Sequence, residues 1–127
     1  MKIFAVGVDI IDNSRIKKSI KNKKFISRIF SKKEINQSKK FKNKTNFYSK
    51  RFAAKESLSK AIGTGFRNNL NFKDISVIKD KYGKPSYELN NKVKKLIYSK
   101  FNVKKFKISL SLADEKKYSI AFSVIHK

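Results

Sequence analysis

The segment from about residue 46 to residue 62 constrains the fold most, because its apolar residues recur at helical spacing and a stop signal follows. Gly63, Thr64 and Gly65 come directly after it, and glycine tolerates the left-handed conformation in which many helices end. The pattern predicts one long helix with the rest of the chain packed against it. The candidates for its buried side are Phe47, Tyr48, Phe52, Ala53, Ala54, Leu58, Ala61 and Ile62.

Shorter elements are predicted on both sides of this helix. Ser14 is expected to cap a helix over residues 15–30, since a serine hydroxyl accepts a hydrogen bond from a free amide of the first turn. Ser31 and Glu34 match a capping box, which predicts a second short helix to about residue 40. The remaining predicted elements are a strand over 3–11, a loop over 39–46, strands over 72–79 and 85–89 around a turn at 80–84, a helix over 91–101, and strands over 105–112 and 117–125.

This order of elements predicts a single α+β domain over residues 1–127, in which helices, including the long central one, pack on an antiparallel sheet. The chain has no Cys, and its one His, His126, lies next to the C-terminus. Disulfides, thiolate metal sites and a His-based triad are therefore not expected. No apolar run approaches the roughly 20 residues that span a bilayer, and Asp9 interrupts the apolar start too early for a signal peptide. We expect a soluble protein of the cytoplasm.

The net charge of +24, from 33 Lys and Arg against nine Asp and Glu, has two explanations. It is either a solvated lysine coat or the mark of a partner that carries many negative charges. A basic nucleic-acid-binding module would need aromatic rings exposed beside the lysines, but most Phe residues fall at predicted core positions. A peripheral membrane protein would need a helix with an aromatic-rich apolar face. Specific nucleic-acid binding and membrane binding are therefore not predicted, and the nucleic-acid module stays as the alternative function.

Acidic residues are scarce, so Asp9 and Glu56 are informative. Asp9 lies within an apolar strand, where an unpaired carboxylate is costly unless the strand end turns toward solvent. Glu56 and Lys60 are four residues apart on the long helix and would form an ordinary surface pair if nothing else lay near them. Alternatively, the two carboxylates suit Mg²⁺, which takes one or two protein carboxylates and leaves positions for substrate phosphates. Lys60 and Arg51 would then neutralise the remaining phosphate charge.

Several motifs occur together in one order along the chain. Gly7-Val8-Asp9-Ile10 is followed by Arg15, and residues 51–65 read Arg-Phe-Ala-Ala-Lys-Glu-Ser-Leu-Ser-Lys-Ala-Ile-Gly-Thr-Gly. Gly83-Lys84-Pro85 and Ile108-Ser109-Leu110-Ser111 come after them. With these motifs the chain resembles the holo-[acyl-carrier-protein] synthase family, the small single-unit class of 4'-phosphopantetheinyl transferases, over about residues 3–125.

The resemblance implies a reaction of fatty acid biosynthesis. The phosphopantetheine arm of coenzyme A moves to a serine of apo acyl carrier protein, and adenosine 3',5'-bisphosphate is released. By analogy with the family, Asp9 and Glu56 bind Mg²⁺, and Glu56, directly or through a metal-bound water, is the candidate base. Lys60 holds the phosphates and stabilises the leaving group. Arg51 and the Gly83-Lys84-Pro85 turn are expected against the nucleotide end of coenzyme A.

The resemblance also implies that the first predicted helix binds the carrier protein. Arg15, Lys18, Lys21 and Arg28 are expected to form a basic face that meets the acidic helix of the carrier protein. Such charge complementarity raises the association rate more than it tightens binding.

One departure from the family concerns the segment around Ser109 and Ser111. Many relatives have histidines there, where this chain has Lys107 and Leu112. Lys107 is still expected to meet a phosphate, whereas Leu112 has no group that could do so. The family also implies a homotrimer with coenzyme A sites between neighbouring subunits.

Overall fold

The fold is built from five strands and five α-helices in the part of the chain that the computed structural model describes, residues 1–66 and 70–127. A short 3-10 turn, Phe72–Asp74, precedes the second strand. In chain order the elements are β1 (Ile3–Asp12), α1 (Asn13–Ser19), α2 (Lys23–Ile29), α3 (Lys32–Ser38), α4 (Lys44–Ile62), β2 (Ile75–Lys79), β3 (Pro85–Leu89), α5 (Asn91–Phe101), β4 (Lys107–Asp114) and β5 (Tyr118–His126).

The strands form two antiparallel sheets rather than one. The larger sheet has the order β1-β5-β4, and β2 pairs with β3 in a separate hairpin. The α4 helix packs across β1 and β5 and also contacts both hairpins. The α+β class and the long central helix are therefore confirmed. Among the described residues, no helix is long and apolar enough to cross a membrane.

The predicted helix over residues 15–30 is wrong, because the chain forms two short helices there. Asp12, not Ser14, caps α1, and its side chain accepts a hydrogen bond from the Ser14 amide at 2.8 Å. Asn22 then accepts from the Lys24 amide at 2.9 Å and caps α2. Asparagine is among the preferred N-cap residues, so Asn22 starts a second helix after α1 has ended at Ser19.

The other helix boundaries follow the local signals. Ser31 and Glu34 form the predicted capping box at the start of α3. Asn43 caps α4, which begins at Lys44, so the predicted loop over 39–46 is shorter than expected. At the other end Gly63 has φ +91° and closes α4 in the left-handed conformation, as predicted.

A close approach between β1 and α4 fixes the face of the sheet on which the helix lies. A Cβ atom at Gly7 would lie 1.9 Å from the backbone oxygen of Ser57, so a residue with a side chain does not fit there. Asp9 and Ile11 share this face of β1 with Gly7, because alternate residues of a strand point the same way. The first turns of α4 pack in a core with α1, α2 and α3, and its last turns pack with β2, β5 and α5.

The opposite face of the larger sheet exposes a continuous apolar surface. Val8 lies opposite Phe122 and Ile10 lies opposite Ile120 in the β1–β5 register. Val6, Val8 and Ile10 are between 54% and 59% exposed. We call Val6, Val8, Ile10, Ile120 and Phe122 the outer sheet face.

Candidate active site

Asp9 and Lys60 form an ion pair between β1 and α4. The Lys60 Nζ atom lies 2.8 Å from Asp9 Oδ1 and also donates to the Val8 carbonyl oxygen at 3.3 Å. The Asp9 side chain is 12% exposed and the Lys60 side chain is 54% exposed. Asp9 therefore does not turn toward solvent at a strand end. Lys60 pairs with Asp9 on the neighbouring strand, so its contacts go beyond those of an ordinary surface pair with Glu56 on the same helix.

Glu56 lies half-buried one helical turn before Lys60. Burial raises the pKa of the Glu56 carboxyl, and the negative charge of Asp9 raises it further, against the opposing effect of Lys60 and Arg15. Like charges that share a site disfavour ionisation of at least one of them. The structure therefore brings Asp9, Glu56 and Lys60 together, close enough for the charges of Asp9 and Lys60 to act on Glu56.

The donor set of this site fits a hard divalent cation. In the part of the chain that the structure describes, no group of three or more His, Cys, Asp or Glu residues could hold a metal ion. Two carboxylates are nevertheless enough for Mg²⁺, which commonly keeps several waters and uses substrate phosphates as further ligands. The charge repulsion between Asp9 and Glu56 is the feature that such a cation would relieve.

The four residues predicted to meet the carrier protein do not form one helical face. Arg15 and Lys18 are exposed on α1, Lys21 lies in the turn after it, and Arg28 is exposed on α2. The break at Asn22 separates them, because each short helix has its own direction. Arg15 is the member of this group whose charge acts on Glu56.

Arg51 lies on α4 but on a different side from Glu56. A separation of five residues rotates a side chain by about 140° around an α-helix, and Arg51 does not take part in the shift of the Glu56 pKa. The Arg51 side chain is buried, and its guanidinium carbon lies 3.5 Å from the ring centre of Phe47. Burial lowers its pKa to about 10. Its Nε atom is buried with no hydrogen-bond partner among the described residues.

Two lysines surround this buried arginine. Burial and the charges of Lys50 and Arg51 lower the pKa of Lys79. The Lys50 Nζ atom lies 3.5 Å from Asp114, a carboxylate that partly balances the three cations. The ring of Phe41 completes the cluster, with its centre 5.9 Å from Lys79 Nζ and 6.0 Å from the Arg51 guanidinium. We call Phe41, Lys50, Arg51 and Lys79 the Arg51 cluster.

Sequence reasoning missed three members of the Arg51 cluster. Lys50 lies on α4, Lys79 ends β2, and Phe41 lies in the turn before α4, so tertiary packing alone joins them. The sequence signal that could have identified Lys79 is the alternation of inward and outward residues along β2. Lys79 continues the inward row of Ile75 and Val77, and a lysine at an inward strand position needs a partner or a ligand.

The predicted Gly83-Lys84-Pro85 segment forms a tight hairpin between β2 and β3. Asp80 Oδ1 accepts hydrogen bonds from the Tyr82 amide at 2.8 Å and the Lys84 amide at 2.9 Å. Gly83 adopts φ +83°, which a residue with a side chain rarely adopts. The turn is therefore held in one shape, with Lys84 exposed.

Lys107 and Leu112, at the departure from the family, lie on opposite faces of β4. Leu112 is partly buried against the core. Lys107 alternates with the residues that face α4, so it lies on the other side of the sheet from Asp9. It lines a cleft of about 360 Å³ with Tyr98 and Phe106.

Comparison with known proteins identifies the family. Residues 5–123 match the 4'-phosphopantetheinyl transferase superfamily model. The chain is 58% identical over 127 residues to a holo-[acyl-carrier-protein] synthase of Pelagibacter ubique, and the match covers 100% of this chain and 99% of the relative. It is also similar to a crystal structure of the holo-(acyl-carrier-protein) synthase of Bacillus anthracis in complex with CoA (3',5'-ADP), with a TM-score of 0.82 at 33% identity over 100% of this chain and 99% of that one.

A second solved structure gives the same result. The holo-[acyl-carrier-protein] synthase of Neisseria meningitidis superposes with a TM-score of 0.87 at 32% identity, over 98% of this chain and 99% of that one. Sequence and structure agree over nearly the whole length in each case. The chain therefore belongs to the 4'-phosphopantetheinyl transferase superfamily, and within it to the holo-[acyl-carrier-protein] synthases.

Proposed function

We propose that this protein transfers the 4'-phosphopantetheine group of coenzyme A to a serine of apo acyl carrier protein in an Mg²⁺-dependent reaction. The observation that carries the proposal is the cluster of Asp9, Glu56 and Lys60 between β1 and α4. It combines two carboxylates with a partly exposed ammonium group, a set that can bind a cation and neutralise the charge of a transferred phosphate. A relative of the same fold binds CoA (3',5'-ADP), which supports coenzyme A as the donor.

Asp9 and Glu56 are the residues that would hold Mg²⁺. When bound, the ion would neutralise part of the negative charge of the pyrophosphate. Lys60, whose side chain is 54% exposed, can reach toward a phosphate from the same site. The protein thus contributes fixed oxygen ligands from β1 and α4 and a movable cation from the last turns of α4.

Glu56 is the candidate base. Burial and the charge of Asp9 raise the pKa of its carboxyl, and it accepts the proton directly or through a water molecule. It takes the proton of the carrier serine while the serine oxygen bonds to the phosphorus attached to pantetheine. The bond between that phosphorus and the bridging oxygen breaks, and its electron pair leaves with adenosine 3',5'-bisphosphate. Lys60 stabilises the charge that develops on the leaving group.

The Arg51 cluster and the hairpin with Gly83, Lys84 and Pro85 are proposed to hold the nucleotide end of coenzyme A. A buried guanidinium with an unbonded Nε atom, beside two lysines and an aromatic ring, supports an anionic ligand there. Arg51 points away from Glu56 on α4, so these residues would serve a coenzyme A bound to the carboxylates of a neighbouring subunit. Lys107 is likewise proposed to contact a phosphate of coenzyme A.

A homotrimer would supply those neighbours. The outer sheet face supports it, because three of its aliphatic residues are more than half exposed in the single chain. Contiguous exposed apolar surface of this kind is typical of an interface between protein chains. Cyclic assembly with three equal interfaces would bury the face and form three sites.

Arg15 is proposed as the carrier-binding residue nearest the reaction, because its charge already acts on Glu56. Lys18, Lys21 and Arg28 would add steering of an acidic partner from neighbouring positions on α1, the turn and α2. We also place the reaction in the cytoplasm and in fatty acid biosynthesis, as the family resemblance implies.

Glu56→Gln tests this function against a basic nucleic-acid-binding module. The variant should lose carrier modification, since it removes the base and a metal ligand. Its affinity for a nonspecific polyanion such as duplex DNA should be unchanged or slightly higher, because one negative charge is lost. Full transfer activity in this variant would contradict the proposed site.

A further inference from the structure

The Lys60 ammonium group is paired with Asp9, one of the two carboxylates proposed to hold the metal ion. Its Nζ atom lies 2.8 Å from Asp9 Oδ1, and the same nitrogen donates to the Val8 carbonyl oxygen at 3.3 Å. Asp9 is 12% exposed and is held within β1, whereas Lys60 is 54% exposed on a flexible side chain. Lys60 can therefore leave the pair by a change of side-chain torsions, and Asp9 cannot.

We propose that Lys60 competes with the metal ion for Asp9 in the free enzyme, and that the pyrophosphate of coenzyme A relieves this competition by attracting Lys60. The inference rests on the proposed function, since it uses the same metal ligands and the same substrate. Metal ion and coenzyme A then bind with positive coupling, although neither needs a conformational change of the backbone. By linkage, each of them raises the affinity of the enzyme for the other by the same factor.

The charges around the site explain the coupling. Asp9 and Glu56 are the two acidic groups of the site, and Lys60 and Arg15 both act on Glu56 as positive charges. A divalent cation that enters without substrate adds two positive charges next to Lys60, which must give up its carboxylate partner. When a pyrophosphate is present, Lys60 gains new anionic partners and the metal gains further oxygen ligands.

Mn²⁺ binding, followed by the loss of the electron paramagnetic resonance signal of the free ion, tests the competition without a catalytic readout. We expect Lys60→Met to bind Mn²⁺ about tenfold more tightly than the wild type in the absence of coenzyme A, a typical size for a coupling of this kind. Lys60→Arg, which keeps the cation, should bind Mn²⁺ like the wild type. Adding Asp9→Asn to Lys60→Met should remove the gain.

Lys92→Met is the matched control. Lys92 and Asp74 form an ion pair of 2.7 Å with side-chain exposures of 46% and 14%, which closely resemble those of Lys60 and Asp9. This variant loses the same charge from a pair that does not act on Glu56, so its Mn²⁺ affinity should equal that of the wild type. An equal gain in Lys92→Met would show a general charge effect and would overturn the inference.

The second arm measures Mn²⁺ affinity with saturating coenzyme A, after subtraction of the Mn²⁺ that coenzyme A binds by itself. The wild type should gain more affinity from coenzyme A than Lys60→Met does. The inference is overturned if Lys60→Met binds Mn²⁺ no more tightly than the wild type, or if coenzyme A strengthens both equally. Carrier modification by the wild-type protein is scored separately, so either proposal can fail while the other stands.

Discussion

At the residue scale, the role proposed for Glu56 comes with a cost in stability. Its folded-state pKa lies above the ordinary value of 4.5, so the folded protein binds more protons than the unfolded chain between these two pKa values. The free energy of unfolding therefore falls as the pH rises through that window. Above the window, charged Glu56 opposes folding, as expected for a residue selected for function.

Glu56→Gln should consequently stabilise the protein while it abolishes transfer. We expect a higher urea midpoint than the wild type at about pH 7, and no difference well below pH 4.5, where Glu56 is protonated in both states. Urea denaturation at the two pH values checks this. A Glu56→Gln variant that unfolds at lower urea concentration than the wild type at neutral pH would contradict the assigned pKa direction.

At the element scale, a buried ion pair connects α4 to α3 and to the smaller sheet. Lys55 Nζ lies 2.7 Å from Glu34 Oε1 and donates to the carbonyl oxygens of Phe72 and Ile75. Glu34 Oε2 accepts from the Val77 amide at 3.1 Å, and both charged side chains are fully buried. Because Glu56 directly follows Lys55 on α4, this pair also fixes the part of the helix from which Glu56 projects.

Lys55→Met should destabilise the protein by about 3–5 kcal/mol, because it leaves a buried carboxylate without its partner. The double variant Lys55→Met with Glu34→Leu should recover only part of this loss: no buried charge remains, but the Ser31 and Val77 amides lose their acceptor. Lys33→Met is a suitable control, because the Lys33 and Glu88 side chains are 64% and 47% exposed and such pairs contribute little. A loss below about 1 kcal/mol in Lys55→Met would contradict this account.

The elements also show which features the sequence predicts and why. Strong periodicity of apolar residues predicted β1 and α4, and α4 ends at Gly63, where the glycine signal predicts its end. The helix over 15–30 was wrong because the side chain of Asn22 offers a competing cap that periodicity does not register. Asp9, Glu56 and Lys60 were predictable as a group through the family motifs. The Arg51 cluster was not, because its members meet through packing of separate elements.

At the scale of the whole molecule, the outer sheet face is the surface on which we expect partner subunits to pack. Val8 is 55% exposed and Phe122 is 44% exposed in the single chain. Val8→Lys places a charge at the centre of the face without touching the core. We expect light scattering to show a trimer for the wild type and a monomer for Val8→Lys with unchanged circular dichroism.

Asn36→Lys is the control for this prediction. Asn36 is exposed on α3, which belongs to neither the outer sheet face nor the proposed site, so the same added charge there should leave the trimer intact. If the coenzyme A site is shared between subunits, Val8→Lys should also lose transfer activity. A wild-type monomer, or a trimeric Val8→Lys variant, would contradict the proposed assembly.

The most direct test of the central claim is the intact mass of an apo acyl carrier protein after incubation with this protein, coenzyme A and Mg²⁺. We predict a gain of one phosphopantetheine group, which is lost with Asp9→Asn and with EDTA. Asp9→Asn keeps the size of the side chain and removes its charge, so the folded protein should remain. No gain with several carrier proteins, despite bound coenzyme A, would contradict the proposed reaction, and a gain that survives both controls would contradict the metal site.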